Sequence, residues 1–204
     1  MLGAILATAA ALSPACGSVP AATQLVTVAP TATTRASVRL WQRDGDCWRR
    51  AAGPWPARLG RSGVSDHHRE GDGTTPTGTF ALGRVVYGTG ADPGVRLTYH
   101  RLACGDWWDE DPRSATYNTF QHVSCGTVPR FRGGSEELWL QTRAYRWFAV
   151  IEYNADPPVA GRGSAIFLHV DTGRPTNGCV SLPAARLVEL LRWLRPGARI
   201  SIGS

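Results

Sequence analysis

The chain has 204 residues, of which 43% are hydrophobic and eight are tryptophan, a composition that excludes an intrinsically disordered protein and is sufficient for one domain with its own core. Its formal net charge of +6 arises from arginine alone, because the sequence contains no lysine. The arginines form no dense stripe or nucleic-acid-reading motif, and no apolar run reaches the roughly 18 residues of a membrane-spanning helix, so we expect neither nucleic-acid binding nor a spanning segment.

Residues 1–22 are mostly small and apolar, and the chain then becomes polar, which is typical of an export signal. The positive charge that usually begins such a signal is missing. Cys16 stands where a bacterial lipoprotein signal carries its lipidated cysteine, although the leucine that usually precedes it is absent. Two fates of Cys16 stay open: it carries a lipid anchor, or it is removed with the signal. We expect an exported, monomeric protein of the cell envelope or the secreted fraction, with residues 23–204 forming one domain.

The first strands are predicted before residue 60. QLVTVAP (24–30) has the composition of a strand, and SVRLWQR (37–43) alternates between apolar and polar residues. Asp44-Gly45 is a turn signal that leads into CWRRAAGPW (47–55), so we expect a β-hairpin here.

Further strands are predicted along the rest of the chain. In REGDGTTPTGTFALGRVVYG (69–88), glycine and proline turn signals lead into a β-prone run. EELWLQT (136–142) and RWFAVIEYN (146–154) are predicted to pair with each other. SAIFLHV (164–170) is a continuous apolar run typical of a buried strand, and ARISIG (198–203) gives the last strand.

One strong helix signal lies near the C-terminus. Pro183 suits the first helical position and Pro196-Gly197 ends the run. Between them, apolar residues recur at helical spacing: Leu187, Val188, Leu190, Leu191 and Leu194. We therefore predict a mainly β domain with one C-terminal helix that follows the loop carrying Cys179, and we place Cys179 just before that helix.

The five cysteines suit an oxidising compartment. A disulfide between Cys104 and Cys125 would close a loop that holds several aromatic residues, and by loop entropy it would stabilise the fold by about 3 kcal/mol. The sequence leaves the partner of Cys47 open. Cys179 is expected to be free.

The stretch HVDTGRPTNGCVSLP (169–183) brings together the residues of a thiol nucleophile. A histidine or a helix N-terminus lowers the pKa of a nearby thiol, and a chain reversal between His169 and Cys179 could bring imidazole and sulfur within hydrogen-bond reach. Gly178 would let backbone N–H groups approach a substrate oxyanion. The spacing is equally compatible with a buried, unreactive cysteine and a histidine that binds a carbonyl.

A family resemblance favours the catalytic interpretation. IFLHVDTGRPTNGCVSLP (166–183) resembles the catalytic signature of L,D-transpeptidase (YkuD-type) domains, in which a strand-end histidine precedes a Ser/Thr-His-Gly-Cys block. REGDGTTPTGTF (69–80) resembles the upstream loop and strand of the same family. The resemblance implies a β-sandwich-like fold, a bacterial cell-wall location and acyl transfer on peptidoglycan stem peptides without a cofactor.

By position, the resemblance implies that Cys179 is the nucleophile, that His169 is the general base, and that the carbonyl of Val170 orients it. Thr176 is a candidate substrate contact in the same motif. The family histidine before Gly-Cys is Asn177 here, and the loop is shorter than usual. Asn177 can donate a hydrogen bond but cannot exchange protons near neutral pH, so His169 would have to do the acid-base work alone.

Three function classes follow. An L,D-transpeptidase forming 3→3 crosslinks is the first, an L,D-carboxypeptidase that uses the same cysteine is the second, and a noncatalytic wall-binding module is the third. Papain-like wall amidases are disfavoured because they place the cysteine before the histidine in the chain.

Two other stretches contain clustered polar residues. DHHRE (66–70) invites a metal interpretation, but adjacent histidines on an extended loop point apart and no third ligand follows at zinc spacing, so we expect a solvated loop and no metal. His100 and His122 are expected to be surface or packing residues. Tyr117, in DWWDEDPRSATYN (106–118), is the best candidate there for a substrate contact.

Overall fold

The computed structural model of the protein describes Cys16, residues 22–131 and residues 134–203. The predicted signal segment, residues 1–22, therefore lies outside the described residues apart from Cys16 and Ala22. In the described part of the chain, no helix is long and apolar enough to cross a membrane.

The domain is mainly β, as predicted, with one α-helix near the C-terminus of the described chain. In chain order its elements are β1 (Gln24–Ala32), β2 (Arg35–Asp44), β3 (Cys47–Arg58), β4 (Val64–Ser65), β5 (Thr75–Pro76), β6 (Gly78–Gly88), β7 (Thr98–Arg101), β8 (Asp106–Asp109), β9 (Thr119–His122), β10 (Glu136–Glu137), β11 (Phe148–Ile151), β12 (Phe167–Val170), β13 (Val180–Leu182), α1 (Ala184–Trp193) and β14 (Arg199–Ile202). Two short 3₁₀ turns, Leu138–Leu140 and Ala144–Arg146, precede β11.

The main sheet closes on itself. Its strand order is β11-β12-β13-β3-β2-β1-β14-β6-β7, and β11 also pairs with β6. Most neighbours are antiparallel, but β12 and β13 run parallel, with Leu168 opposite Val180 and His169 opposite Ser181. This parallel pair fixes where the loop between His169 and Cys179 begins and ends.

Alternating apolar residues place one face of the β2–β3 hairpin in the core. Val38 and Leu40 of β2 are fully or almost fully buried, while Arg39 between them is only half-buried. On the other side of the core, Leu187, Leu190 and Leu191 of α1 are fully buried in the same cluster. Burial of each such leucine contributes about 1.5 to 3 kcal/mol. The helix is thus held against the sheet by the apolar stripe that predicted it.

The predicted pairing of 136–142 with 146–154 is wrong. Glu136–Glu137 pairs instead with β8, and the chain then turns through the first 3₁₀ turn. All four residues of β11 are buried, so this strand needs a partner on each side, and it finds them in β12 and β6.

A small second sheet, β10-β8-β9, stands beside the main one. The predicted Cys104–Cys125 disulfide ties its ends together. The buried Asp106 carboxylate bonds to His100 Nε2 at 2.8 Å and to His122 Nδ1 at 2.7 Å, so both histidines have a structural partner.

Candidate active site

The loop from 171 to 179 is anchored where it leaves β12. Asp171 N donates to Leu182 O at 2.7 Å, and the Asp171 carboxylate forms an ion pair with Arg58 at 3.0 Å. Cys179 then leads directly into β13, so a whole strand separates it from α1. The predicted helix does follow the loop that carries Cys179, but the unpredicted strand β13 stands between them, so the helix N-terminus is not adjacent to the thiol in the chain.

Thr176 and Gly178 set the turn that presents Cys179. Thr176 Oγ1 donates to Cys179 O at 2.6 Å and accepts from Gly178 N at 3.2 Å. Gly178 has φ of +147°, and a Cβ there would lie 3.0 Å from both Thr74 O and Ile166 Cδ1. Only glycine adopts that backbone region easily and fits the space, so the sequence at this position is dictated by the turn.

His169 is 7% exposed and its tautomer is set by one contact. Its Nδ1 lies 2.9 Å from Val170 O, and a carbonyl can only accept, so Nδ1 carries the proton. Burial lowers the pKa of His169, against smaller opposing effects of the Val170 carbonyl and Asp171. The resting imidazole is thus neutral, and its Nε2 lone pair is available as a base.

Cys179 is the only free cysteine among the described residues, and it is buried. Burial raises the pKa of its thiol, and the nearby carboxyl groups of Glu136 and Glu110 add to the rise, while the Phe167 N–H at 3.3 Å from Sγ opposes it. Sγ in turn donates to Ala165 O at 3.3 Å. Desolvation therefore outweighs the lowering of the thiol pKa that a nearby histidine or helix N-terminus would give, and the free sulfur is a thiol at neutral pH.

A cavity of about 490 Å³ opens in front of these groups. Its lining includes His169, Cys179, Thr176 and Asn177. The upstream motif contributes Glu70 and Gly71, and His68 just before it also lines the cavity. The structure thus brings the two sequence motifs to one cleft.

Acidic side chains that the sequence analysis missed form another part of the lining. Burial, together with Glu136, Glu70 and Asp109, raises the pKa of Glu110 to about 9. Burial also raises the pKa of Glu136, whose Oε2 accepts from the Tyr145 hydroxyl. Glu110 lies in the stretch 106–118, in which only Tyr117 is predicted to contact the substrate, and Glu136 lies in a segment predicted only as a strand.

Tyr145 contacts both the acidic lining and His169. It is 6% exposed, and its ring meets the His169 ring edge-on with centroids 5.8 Å apart. Burial raises its pKa, with Glu136 and Cys179 adding to the effect, so its hydroxyl remains a donor.

Two other candidates take different places. Tyr117 is 3% exposed, does not line the cleft, and donates to Glu70 at 2.5 Å, so it supports a lining residue from behind. Asn177 is exposed, and its Oδ1 accepts from Arg61.

The loop 66–70 is only partly solvated, contrary to expectation. The side chain of His67 is 88% exposed, whereas that of His68 is 4% exposed and lies 3.1 Å from Asp72, so the two histidines do point apart. Burial lowers the pKa of His68, against the opposing effects of Asp72 and Glu70. Among the residues that the structure describes, no group of histidine, cysteine and acidic side chains has the arrangement of a metal site.

Cys47 has a partner that the sequence left open. It forms a disulfide with Cys16. A sulfur in this bond cannot also carry a lipid, so disulfide and lipid anchor are mutually exclusive states of Cys16.

One comparison with known proteins gave a match. The family model described as YkuD, L,D-transpeptidase catalytic domain, matches residues 28–202. Searches of the curated proteins and of the solved structures found no match.

Proposed function

Because this chain belongs to the family of L,D-transpeptidase catalytic domains, we propose that it is a peptidoglycan L,D-transpeptidase that forms 3→3 crosslinks through an acyl-enzyme on Cys179. One observation carries the proposal: a free thiol and a neutral histidine with an available Nε2 line the same cleft. The two disulfides suit action outside the cytoplasm, on peptidoglycan stem peptides.

In the first half-reaction, Cys179 Sγ attacks the carbonyl of the L-centre in a tetrapeptide stem, and His169 Nε2 takes the thiol proton. General-base transfer during attack suits a thiol whose pKa is raised by burial, because no resting thiolate is needed. When the intermediate collapses, the bond to the terminal D-alanine breaks and His169 returns the proton to the leaving amine. The rest of the stem stays on sulfur as a thioester.

In the second half-reaction, the amine on the D-centre of a neighbouring stem attacks the thioester. His169 takes a proton from that amine and returns it to the departing sulfur, so the enzyme is restored and the new amide is the crosslink. The energy of the broken peptide bond is kept in the thioester, so no cofactor is required.

The developing oxyanion requires a donor beside the sulfur. Of the two predicted amides, that of Gly178 donates to Thr176 Oγ1. The N–H of Cys179 is the other amide, and we assign the oxyanion to it because the Gly178 N–H already has a partner.

Mass spectrometry of muropeptides tests the proposal. The protein and its Cys179→Ala variant are each incubated with a tetrapeptide donor and a stem-peptide acceptor. Wild type should give dimers linked between the two third residues, and the variant should give none. Shortened tripeptide stems without dimers would identify an L,D-carboxypeptidase, in which water replaces the amine. No change would leave a noncatalytic wall-binding module.

A further inference from the structure

Arg61 is fixed to the turn that carries the nucleophile. Its backbone N–H donates to Thr176 O at 2.8 Å, and one of its terminal nitrogens donates to Asn177 Oδ1. Its other terminal nitrogen donates to Gly71 O at 3.0 Å. The guanidinium is therefore held in position relative to Cys179, two residues beyond Asn177.

Glycine at position 73 leaves room for this arrangement. A Cβ on Gly73 would lie 2.6 Å from Arg61 Cζ and 2.9 Å from Arg61 Nε, so the side chain lies against bare backbone. A guanidinium has five N–H donors, and the contacts described above use two of them. The remaining donors belong to an exposed group that lines the cleft.

Arg61 is also the one source of positive charge in the described lining. No described carboxylate lies within ion-pair distance of it, and it is the only arginine among the lining residues that the structure describes. The lining histidines, His68 and His169, both have lowered pKa values because they are buried. The other ionisable groups there are the glutamate carboxyl groups, the Tyr145 hydroxyl and the Cys179 thiol, none of which supplies positive charge. A substrate carboxylate in this cleft finds its opposite charge at Arg61.

The reaction itself supplies such a carboxylate twice. The leaving D-alanine carries one on the carbon that bears its amine, and the D-centre of the acceptor has the same arrangement of amine and carboxyl group. Since leaving and attacking amines occupy the same side of the acyl carbon, one cation can bind both carboxylates.

Resting on the function proposed above, we propose that Arg61 is a specificity-determining residue: it binds the α-carboxylate of the D-amino acid whose amine leaves or attacks at Cys179. Asn177 is then a positioning residue that aims the guanidinium. An acceptor whose D-centre carboxyl is amidated is consequently a poor acceptor, because the amide has no charge for the guanidinium to pair with.

The test compares tetrapeptides that end in D-alanine and in D-alanine amide. Amidation should lower kcat/KM in the wild type, and Arg61→Gln should shrink the acid-to-amide preference by about ten- to a hundredfold, the range expected for a charge-assisted hydrogen bond. D-alanine and D-alanine amide differ as leaving groups, but this difference is the same for every variant. It therefore cancels when the acid-to-amide ratio of kcat/KM is compared between the wild type and a variant. Arg61→Lys keeps the charge without the planar fork and should be intermediate.

Arg69→Gln is the matched control, because Arg69 is exposed on the neighbouring loop, does not line the cleft, and carries the same charge. Its preference should equal that of the wild type. Asn177→Ala should shrink the preference in the same direction as Arg61→Gln but less. An unchanged preference in Arg61→Gln, or an equal change in Arg69→Gln, would overturn the proposal.

Binding to unreactive protein separates this proposal from the proposed function. Calorimetry with Cys179→Ala should show tighter binding of the acid than of the amide, and the double variant Cys179→Ala/Arg61→Gln should lose that difference. If the wild type releases no D-alanine, the proposed function fails, and these affinities still decide the role of Arg61. Equal affinities of Cys179→Ala for the acid and the amide would overturn the role of Arg61. Turnover observed in the wild type would then still support the proposed function.

Discussion

Replacing Gly178 by alanine should cost both stability and activity, because this glycine shapes the turn before Cys179, the proposed nucleophile. A side chain at φ of +147° costs about 1 to 3 kcal/mol in backbone strain. Its Cβ would also lie 3.0 Å from the backbone oxygen of Thr74 and from Ile166 Cδ1, and crowding of this kind costs about another 1 to 3 kcal/mol. We therefore expect Gly178→Ala to lower the free energy of unfolding by about 2 to 6 kcal/mol.

Gly173→Ala is the matched control in the same loop. Gly173 also has a positive φ, +88°, but a Cβ there meets nothing within 4 Å. It should lose only about 1 to 2 kcal/mol, measured by urea denaturation, and should retain most of its rate of D-alanine release. The rate of D-alanine release should be at least about tenfold lower in Gly178→Ala than in Gly173→Ala, because displaced catalytic groups misalign the reacting atoms. Equal stability and equal rate in the two variants would refute the argument from crowding.

Three further predictions concern the thiol, the acidic wall and the disulfide. Because burial raises the pKa of the Cys179 thiol, alkylation of this thiol by iodoacetamide should be slow at pH 7 and should accelerate as the pH rises. His169→Ala should abolish turnover while leaving this pH dependence of alkylation nearly unchanged. An alkylation rate that has already reached its plateau at pH 7 would contradict the raised thiol pKa. Glu110, with its pKa raised to about 9, keeps a proton that the unfolded chain loses above about pH 4.5, so stability should fall as pH rises through that window. In urea denaturation, the free energy of unfolding of Glu110→Gln should therefore exceed that of the wild type by up to about 3 kcal/mol at pH 7 and by less at pH 5. A difference in the free energy of unfolding that does not depend on pH would disprove the raised pKa. Cys104→Ser/Cys125→Ser should lose about 3 kcal/mol by loop entropy, and a double variant as stable as the wild type in that same assay would show that the bond is dispensable.

The sequence predicted the elements whose patterns are local. The run 164–170 gave β12, and the leucine spacing gave α1, because each pattern directly reflects burial of one strand or one helix face. The pairing of β11 was missed, since a buried strand with two partners looks the same in sequence as one strand of a hairpin. Neighbours in the sheet are set by closure of the whole domain, which no local window contains.

The residues of the candidate site also fall into those that a local sequence pattern predicts and those that it does not. His169 and Cys179 could be found because they share one short motif, whereas Arg61, Glu110 and Glu136 reach the cleft from separate segments. The protonation state of the thiol was predicted with the wrong sign, because proximity to a helix start in the chain did not reveal the intervening strand β13 or the extent of burial. Charge state depends on solvent exclusion, and that is a property of the folded cleft.

Intact-mass spectrometry of the acyl-enzyme tests the central claim most directly. The protein is mixed with a tetrapeptide stem in the absence of acceptor, quenched in acid, and mapped by peptide mass. The account predicts an adduct equal in mass to the stem minus D-alanine, bound to Cys179 and absent from Cys179→Ala. Release of D-alanine without any adduct on Cys179, or an adduct on another residue, would contradict it.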